Sequence, residues 1–302
     1  MIRLKGAYTA LVTPFTAEDA LDQEGLRTLI DLQIKAGIDG IVVMGSTGES
    51  PTLSSEERQQ IVQITRETLP KEIPLIVGTG HSSTKQTIAN TLQAEKLGAD
   101  MALVVAPYYN KPTPEGVYQH YSTLARATSL PLIVYNSPGR TGTQISVETA
   151  KRLVSLPSIV GMKESSGNIS HTSDMIEMVR QERPEFSILT GDDPLTLATV
   201  GLGGQGVISV ISNLLPDLVK ALVWSTLEDD MSTAQELHYF LMPLIRALFL
   251  ESNPIPIKAA LALQGLPGGK CRLPLCEMQP ENHRMLEIIL EPFGSPYSIR
   301  SK

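Results

Sequence analysis

Short apolar runs alternate with amphipathic segments along most of the chain. The runs are rich in Val, Ile and Leu and bounded by Gly or Pro, which predicts buried parallel strands. The predicted strands are Ala7–Val12, Gly40–Met44, Pro74–Val77, Met101–Val105, Pro131–Tyr135, Ile159–Met162, Phe186–Leu189 and Val207–Ile211. The predicted helices between them are Asp22–Ala36, Ser54–Leu69, Ser82–Leu97, Pro114–Thr128, Ser146–Leu156 and Asn168–Arg183. This alternation predicts an α/β fold, a (β/α)8 TIM barrel over residues 1–213.

The strand pattern stops near Leu214, and no linker follows. Further helices are predicted at Asp217–Leu227, Ser232–Leu250, Pro256–Gln264 and Glu281–Leu290. We therefore expect residues 214–302 to form a C-terminal helical extension that packs on the barrel within a single structural unit.

Composition narrows the class of protein. With 302 residues, of which 42% are hydrophobic, the chain can bury a barrel-sized core. A net charge of -7 without a Lys/Arg cluster argues against nucleic acid as a partner. Neither a leader-like segment nor a run of about 18 apolar residues is found, which predicts a soluble, cytoplasmic protein without a membrane partner. Cys271 and Cys276 read as reduced thiols, because no second pair of ligands accompanies them.

Lys163 lies inside the apolar run 158–167 of the sixth predicted strand. Burial disfavours an ammonium ion, so such a lysine is favoured as a free amine that attacks a carbonyl carbon and forms a Schiff base. The alternative is a lysine that ends the strand with its stem buried and its charge in water. The surrounding loops favour the first interpretation.

Polar and glycine-rich residues follow the predicted strands rather than precede them. These loops are 45–49, 78–81, 107–110, 136–142, 163–166 and 191–193. In a (β/α)8 barrel they converge on the face formed by the carboxyl ends of the strands, where active sites are built. The pattern therefore predicts one shared site.

Three loops offer groups that suit a keto acid. Ser46 and Thr47, flanked by glycines, present hydroxyls and backbone N–H groups for a carboxylate, although a tight turn explains them equally well. Tyr135 ends the fifth predicted strand beside the sixth, so its hydroxyl is a candidate proton carrier or a packed phenol. Arg140 is either a fork-shaped donor for a second carboxylate or a surface arginine.

Other loop motifs are less specific. Tyr108 and Tyr109 are predicted to form an exposed aromatic pair, which is typical of a protein interface or of a binding site. Asp192 and Asp193 read as a pair that starts a helix and orders a loop, without metal-ligand spacing around them. The run 201–206 fits G-x-G-x-x-G, but it ends a predicted helix and precedes a strand, which argues against a nicotinamide cofactor.

Together, Lys163, Tyr135 and the motif Gly-Ser-Thr-Gly-Glu at 45–49 make the chain resemble the lyase-type class I aldolase family that includes dihydrodipicolinate synthase and N-acetylneuraminate lyase. The resemblance runs from about Gly6 to Pro274. The motifs at 108–112, 135–142 and 161–168 are similar to those of the synthase branch. Arg140 matters most, because the synthases use this arginine to bind the carboxylate of their aldehyde substrate. The aldehyde that sialate lyases handle has no such carboxylate. Gly-Ser-Thr-Gly-Glu is also similar to the sialate-lyase motif, since synthases usually have threonine at the position of Ser46.

The resemblance implies a reaction and roles for seven residues. Pyruvate and aspartate semialdehyde would condense through an imine on Lys163, without a metal or other cofactor. Tyr135, Ser46 and Tyr109 would relay protons, Tyr109 coming from a neighbouring subunit of a homotetramer built as a dimer of dimers. Pyruvate would be held by Thr47 and the backbone at Ile208, and the aldehyde's carboxylate by Arg140.

Two alternatives stay open at this point. One is another pyruvate-forming lyase, for sialate or a sugar-derived keto acid, which Arg140 and Tyr109 disfavour. The other is a catalytically silent barrel that senses a keto acid, which would not need Lys163 and Tyr135.

The resemblance also generates a prediction about regulation. Members that lysine inhibits bind it with residues that align near Ser50, Ser55, Arg58, Ser82, Gln86 and Tyr108. Ser82 and Gln86 stand where asparagine and glutamate are usual. Without a carboxylate at position 86, the ligand's ammonium loses a charge-assisted hydrogen bond worth roughly 1.5–3 kcal/mol. We therefore expect weak or absent inhibition in a lysine titration of the activity, and inhibition at micromolar lysine would contradict this.

Overall fold

A computed structural model describes residues 3–294 of the chain. Within them, eight parallel strands close into a barrel in chain order, with the last strand paired to the first. The strands are β1 (Gly6–Ala10), β2 (Gly40–Val43), β3 (Leu75–Gly78), β4 (Met101–Val105), β5 (Leu132–Asn136), β6 (Ile159–Glu164), β7 (Ser187–Thr190) and β8 (Gly206–Ser209). The predicted (β/α)8 barrel is confirmed, and each predicted strand lies within two residues of its observed bounds.

The helices cover the outside of the barrel and continue beyond it. They are α1 (Gln23–Ala36), α2 (Ser55–Thr68), α3 (Thr84–Lys96), α4 (Pro114–Ala127), α5 (Pro138–Thr141), α6 (Val147–Val154), α7 (Ile169–Glu182), α8 (Thr196–Gly201), α9 (Pro216–Leu227), α10 (Met231–Ala247), α11 (Ile255–Leu263) and α12 (Pro280–Leu290). Among residues 3–294, none of these helices has the length and apolar character needed to cross a membrane.

Polar caps define where several helices begin. Ser54 accepts a hydrogen bond from the Glu57 N–H, and the Glu57 side chain accepts one in return from the Ser54 N–H, which forms a capping box. Ser146 caps α6 in the same position. The short helices α5 and α8 were not predicted, because four and six residues are too few for a helical period to show.

Side chains on the two faces of the sheet form two separate cores. The barrel interior holds a cluster that includes Tyr8, Leu103, Tyr135, Leu189 and Ile208. The larger core lies between the sheet and the helices. Because successive side chains of a strand alternate between faces, Met162 packs in the outer core and its neighbour Lys163 belongs to the inner face.

The helical extension is joined to the barrel by a buried ion pair. Lys258 of α11 contacts Glu49 at 2.5 Å, with 2% and 1% of the two side chains exposed. Glu49 has a φ of 51° at the end of the loop after β2, and its other carboxylate oxygen accepts from the Arg272 N–H. The extension therefore fixes this loop. The proposed boundary at residues 213 and 214 stays a prediction, and positions 295–302 of the predicted extension lie outside the described residues.

This ion pair generates a prediction about stability. Replacing Lys258 by Met leaves the Glu49 carboxylate buried without its cation, which typically costs about 3–5 kcal/mol. We expect a clear fall in the midpoint of urea unfolding for Lys258→Met. The matched control is Lys270→Met, because Lys270 is 40% exposed beside Asp19 and surface pairs contribute about 0–1 kcal/mol. Equal midpoints for the two variants would contradict the role of the buried pair.

Candidate active site

A cavity of about 360 Å³ opens at the carboxyl ends of the strands. Its lining comes from several of the loops that the sequence analysis placed together. The residues that line it include Gly45, Ser46, Ser50, Arg58, His81, Leu103, Tyr108, Tyr135 and Arg140. The predicted convergence of the loops on one face is therefore what the fold produces.

Lys163 and Tyr135 are adjacent at the carboxyl ends of β6 and β5. The two residues are partners in the parallel register. The Lys163 Nζ atom lies 4.5 Å from the centre of the Tyr135 ring, and the two residues are 5% and 6% exposed. The strands thus place an amine and a phenol together, out of bulk water.

Opposing effects set the acidity of the Tyr135 phenol. Burial raises its pKa, but the charge of Lys163 and hydrogen bonding from Ser137 and Ser46 lower it, with a further contribution from Arg140. The net result is a pKa below the ordinary value for tyrosine. This phenol is therefore tuned toward proton transfer.

The loop after β7 presses against the lysine. A Cβ atom built on Gly191 would lie 2.3 Å from the Lys163 Cε atom, so only glycine leaves room for the lysine side chain. The next two residues are acidic, and burial raises the pKa of both Asp192 and Asp193 while the Lys163 charge opposes that rise. Lys163 therefore lies in the field of two carboxyl groups.

Asp192 and Asp193 order loops, as predicted. Asp192 accepts from the Gly167 N–H at 2.9 Å, and Asp193 accepts from the N–H groups of Val210 and Ile211 at 2.9 and 3.2 Å. The pair also stands at a helix start, because Asp192 is the N-cap residue of a 3-10 turn that begins at Asp193, but the Asp192 side chain does not cap this turn. Its carboxylate is already engaged with the loop after β6.

The loop carrying Ser46 and Thr47 is bracketed by two residues in the left-handed region, Met44 (φ 55°) and Glu49 (φ 51°). Ser46 lines the cavity, whereas Thr47 is buried and accepts a hydrogen bond from the Asn253 side-chain amide at 2.9 Å. Asn253 was missed by sequence reasoning. It lies 206 positions away at the start of the run Asn253-Pro-Ile-Pro-Ile-Lys258, which belongs to the family resemblance but gives no sign of a contact with Thr47.

Arg140 lies at the mouth of the cavity, in the short helix α5. Its side chain is exposed, and one guanidinium nitrogen donates to the Asn253 backbone carbonyl at 3.3 Å. Among residues 3–294 the guanidinium makes no other side-chain hydrogen bond, which leaves donors that can meet a ligand's carboxylate.

Ile208, Tyr108 and Tyr109 differ in how deeply the fold buries them. Ile208 lies fully buried in the barrel interior with Tyr135. The predicted exposed pair is wrong for Tyr108, which is half-buried and lines the cavity beside His81. Tyr109 is 92% exposed, turned outward by a φ of 74° that is unusual for a tyrosine. The single chain does not bring Tyr109 to the other site residues.

Other sequence features have plain structural explanations. The run 201–206 joins the end of α8 to β8, so its predicted position after a helix and before a strand is confirmed. In the part of the chain that the structure describes, no group of three or more His, Cys, Asp or Glu side chains is arranged to hold a metal ion.

The fold and site define a (β/α)8-barrel protein in which a buried lysine lies beside a tyrosine that lines a cavity at the carboxyl ends of the strands. The model of the dihydrodipicolinate synthetase family matches residues 3–292, and the chain belongs to that family. It is 51% identical over 287 residues to the 4-hydroxy-tetrahydrodipicolinate synthase of Protochlamydia amoebophila, covering 95% of this chain and 96% of the relative. The resemblance inferred from the sequence is confirmed.

Solved structures agree with this assignment. Dihydrodipicolinate synthase from Aquifex aeolicus superposes with a TM-score of 0.93 at 43% identity, covering 97% of this chain and 99% of that one. A monomeric dihydrodipicolinate synthase variant superposes with a TM-score of 0.94 at 42% identity, covering 95% and 96%. The fold and the sequence thus point to the same family.

The environment of Tyr135 generates a prediction about titration. In the folded protein, we expect one phenol to ionise below the usual tyrosine pKa of about 10, as followed by ultraviolet difference spectra. Lys163→Met should raise that pKa, because removing the cation leaves burial less opposed. The signal should vanish in Tyr135→Phe and persist in the control Tyr8→Phe, since burial raises the pKa of Tyr8 to about 12. Persistence of the signal in Tyr135→Phe would assign it to another residue and contradict the prediction.

Proposed function

We propose that this protein condenses pyruvate with L-aspartate 4-semialdehyde to give 4-hydroxy-tetrahydrodipicolinate, a step in diaminopimelate and lysine biosynthesis. The observation that carries the proposal is the buried Lys163, whose Nζ atom lies 4.5 Å from the ring centre of Tyr135, a residue that lines the cavity. Relatives that cover nearly the whole chain are named for this activity.

Lys163 supplies the nucleophile. Its neutral amine attacks the keto carbon of pyruvate and water leaves, giving an imine whose protonated nitrogen draws electrons from the methyl group. Loss of a methyl proton gives an enamine, which forms a carbon–carbon bond to the aldehyde carbon. The amino group from the aldehyde substrate then displaces the Lys163 nitrogen as the ring closes, which frees the enzyme.

Tyr135 moves the protons in these steps. Its lowered pKa suits a phenol that both gives and takes a proton. Ser46, which lines the same cavity, is the next member of the relay. Tyr109 completes it from a neighbouring subunit, which fits its 92% exposure in the single chain. We therefore propose a homotetramer built as a dimer of dimers in the cytoplasm.

Two further groups hold the substrates' carboxylates. Thr47 and the backbone at Ile208 bind the carboxylate of pyruvate, and Arg140 binds that of aspartate semialdehyde. Arg140 at the cavity mouth favours this aldehyde over the sugar aldehydes of sialate lyases, because a guanidinium there has a carboxylate to pair with.

The test is a coupled assay with purified protein, pyruvate, aspartate semialdehyde, a separate reductase and NADPH. We expect NADPH consumption that Lys163→Ala abolishes while the fold is retained. The matched control is Lys151→Ala, because Lys151 is an exposed lysine paired with Glu182 and should leave the rate unchanged. Folded wild-type protein without activity, or an active Lys163→Ala variant, would refute the proposal.

The variant Arg140→Ala tests the binding of aspartate semialdehyde separately from that of pyruvate. Loss of a charge-assisted pair worth about 1.5–3 kcal/mol predicts a rise of roughly 10- to 150-fold in the KM for aspartate semialdehyde. The KM for pyruvate should change little. Arg152→Ala is the control, since Arg152 pairs with Glu115 on the surface. An unchanged KM for the aldehyde would show that another group binds its carboxylate.

A further inference from the structure

We propose that Asn253 is a positioning residue that sets the Thr47 hydroxyl as a hydrogen-bond donor for the carboxylate of pyruvate. This inference rests on the proposed function and extends it into the helical extension, because Asn253 lies in the loop between α10 and α11.

The hydrogen bond between the two side chains has a direction. The Asn253 amide nitrogen donates to the Thr47 hydroxyl oxygen at 2.9 Å, and the two residues are 5% and 2% exposed. Since the oxygen is the acceptor, the hydroxyl proton of Thr47 is left to donate elsewhere. Within residues 3–294, the Thr47 side chain makes no other hydrogen bond. A carboxylate is the ligand that such a donor suits.

The backbone of Asn253 contacts Arg140, the residue proposed to bind the second substrate. The Asn253 carbonyl oxygen accepts from Arg140 at 3.3 Å. One residue of the extension therefore contacts the two side chains, those of Thr47 and Arg140, to which the proposed function assigns a carboxylate. Its side chain contacts Thr47, which is assigned to pyruvate, and its backbone contacts Arg140, which is assigned to the aldehyde.

Asn253 also carries an unusual cost. Its side-chain oxygen is buried and has no hydrogen-bond partner among the described residues. Most buried polar atoms in proteins are paired, and an unpaired one is unfavourable. An apolar side chain would avoid this cost, so the residue is better explained by the donor that it aims at Thr47 than by packing.

A double-mutant cycle tests the inference. Borohydride traps pyruvate on Lys163, and intact-mass spectrometry gives the pyruvate concentration for half-maximal trapping. We expect Asn253→Ala and Thr47→Val each to raise that concentration about fivefold or more. The double variant should show no more than the larger single effect, because Asn253 acts through Thr47. An unchanged value in Asn253→Ala, or effects that multiply, would overturn the inference.

The KM values exclude a merely structural role. Asn253→Ala retains the backbone carbonyl, so the KM for aspartate semialdehyde should stay within about twofold while that for pyruvate rises. A parallel rise in both KM values would overturn the inference. The control is Asn282→Ala, which removes another amide of the extension, one bonded to Glu251, and should leave trapping unchanged.

A second variant guards against a failure to fold. Asn253→Asp keeps the shape of the side chain but replaces the donor by an acceptor, so the Thr47 proton turns toward it and half-maximal trapping should need still more pyruvate. Trapping at the wild-type concentration would overturn the inference and leave the proposed function standing. A wild-type protein that pyruvate and borohydride never modify would instead remove the proposed function itself.

Discussion

Closure of a parallel sheet is the constraint on which this molecule depends. Parallel strands share one direction, so a closed barrel brings all their carboxyl ends to one rim. The register between β5 and β6 then places Tyr135 beside Lys163, and the loop after β7 closes over the lysine through Gly191. β5, β6 and the loop after β7 are separate along the chain, and the barrel topology brings them together.

The helical extension takes part in the site rather than merely covering the barrel. Lys258 neutralises Glu49 at one end of the loop that carries Ser46 and Thr47, and Asn253 contacts Thr47 directly. Buried charges and amides of this kind are costly unless paired. Their pairing across the boundary couples the stability of the extension to the shape of the site.

The sequence predicts the fold well, because each strand is bounded by turn residues and several helices begin at polar caps such as Ser54. It also predicts the meeting of Lys163 and Tyr135, since both follow from strand order. It fails where contacts are distant along the chain. Asn253 meets Thr47 from 206 positions away, and Tyr108 packs its ring against that of His81 on the loop after β3. The proposed role of Tyr109 requires contact with a second subunit, so it follows from the family resemblance and not from strand order within one chain.

The central claim is that one buried lysine forms the covalent intermediate and that the tyrosine across the strand serves it. A crystal structure of the protein soaked with pyruvate tests this most directly. The account predicts continuous density from the Lys163 nitrogen to the keto carbon of pyruvate, with the Tyr135 phenol beside it and the carboxylate at Thr47. Pyruvate joined to another residue, or bound without a covalent bond in an active enzyme, would contradict it.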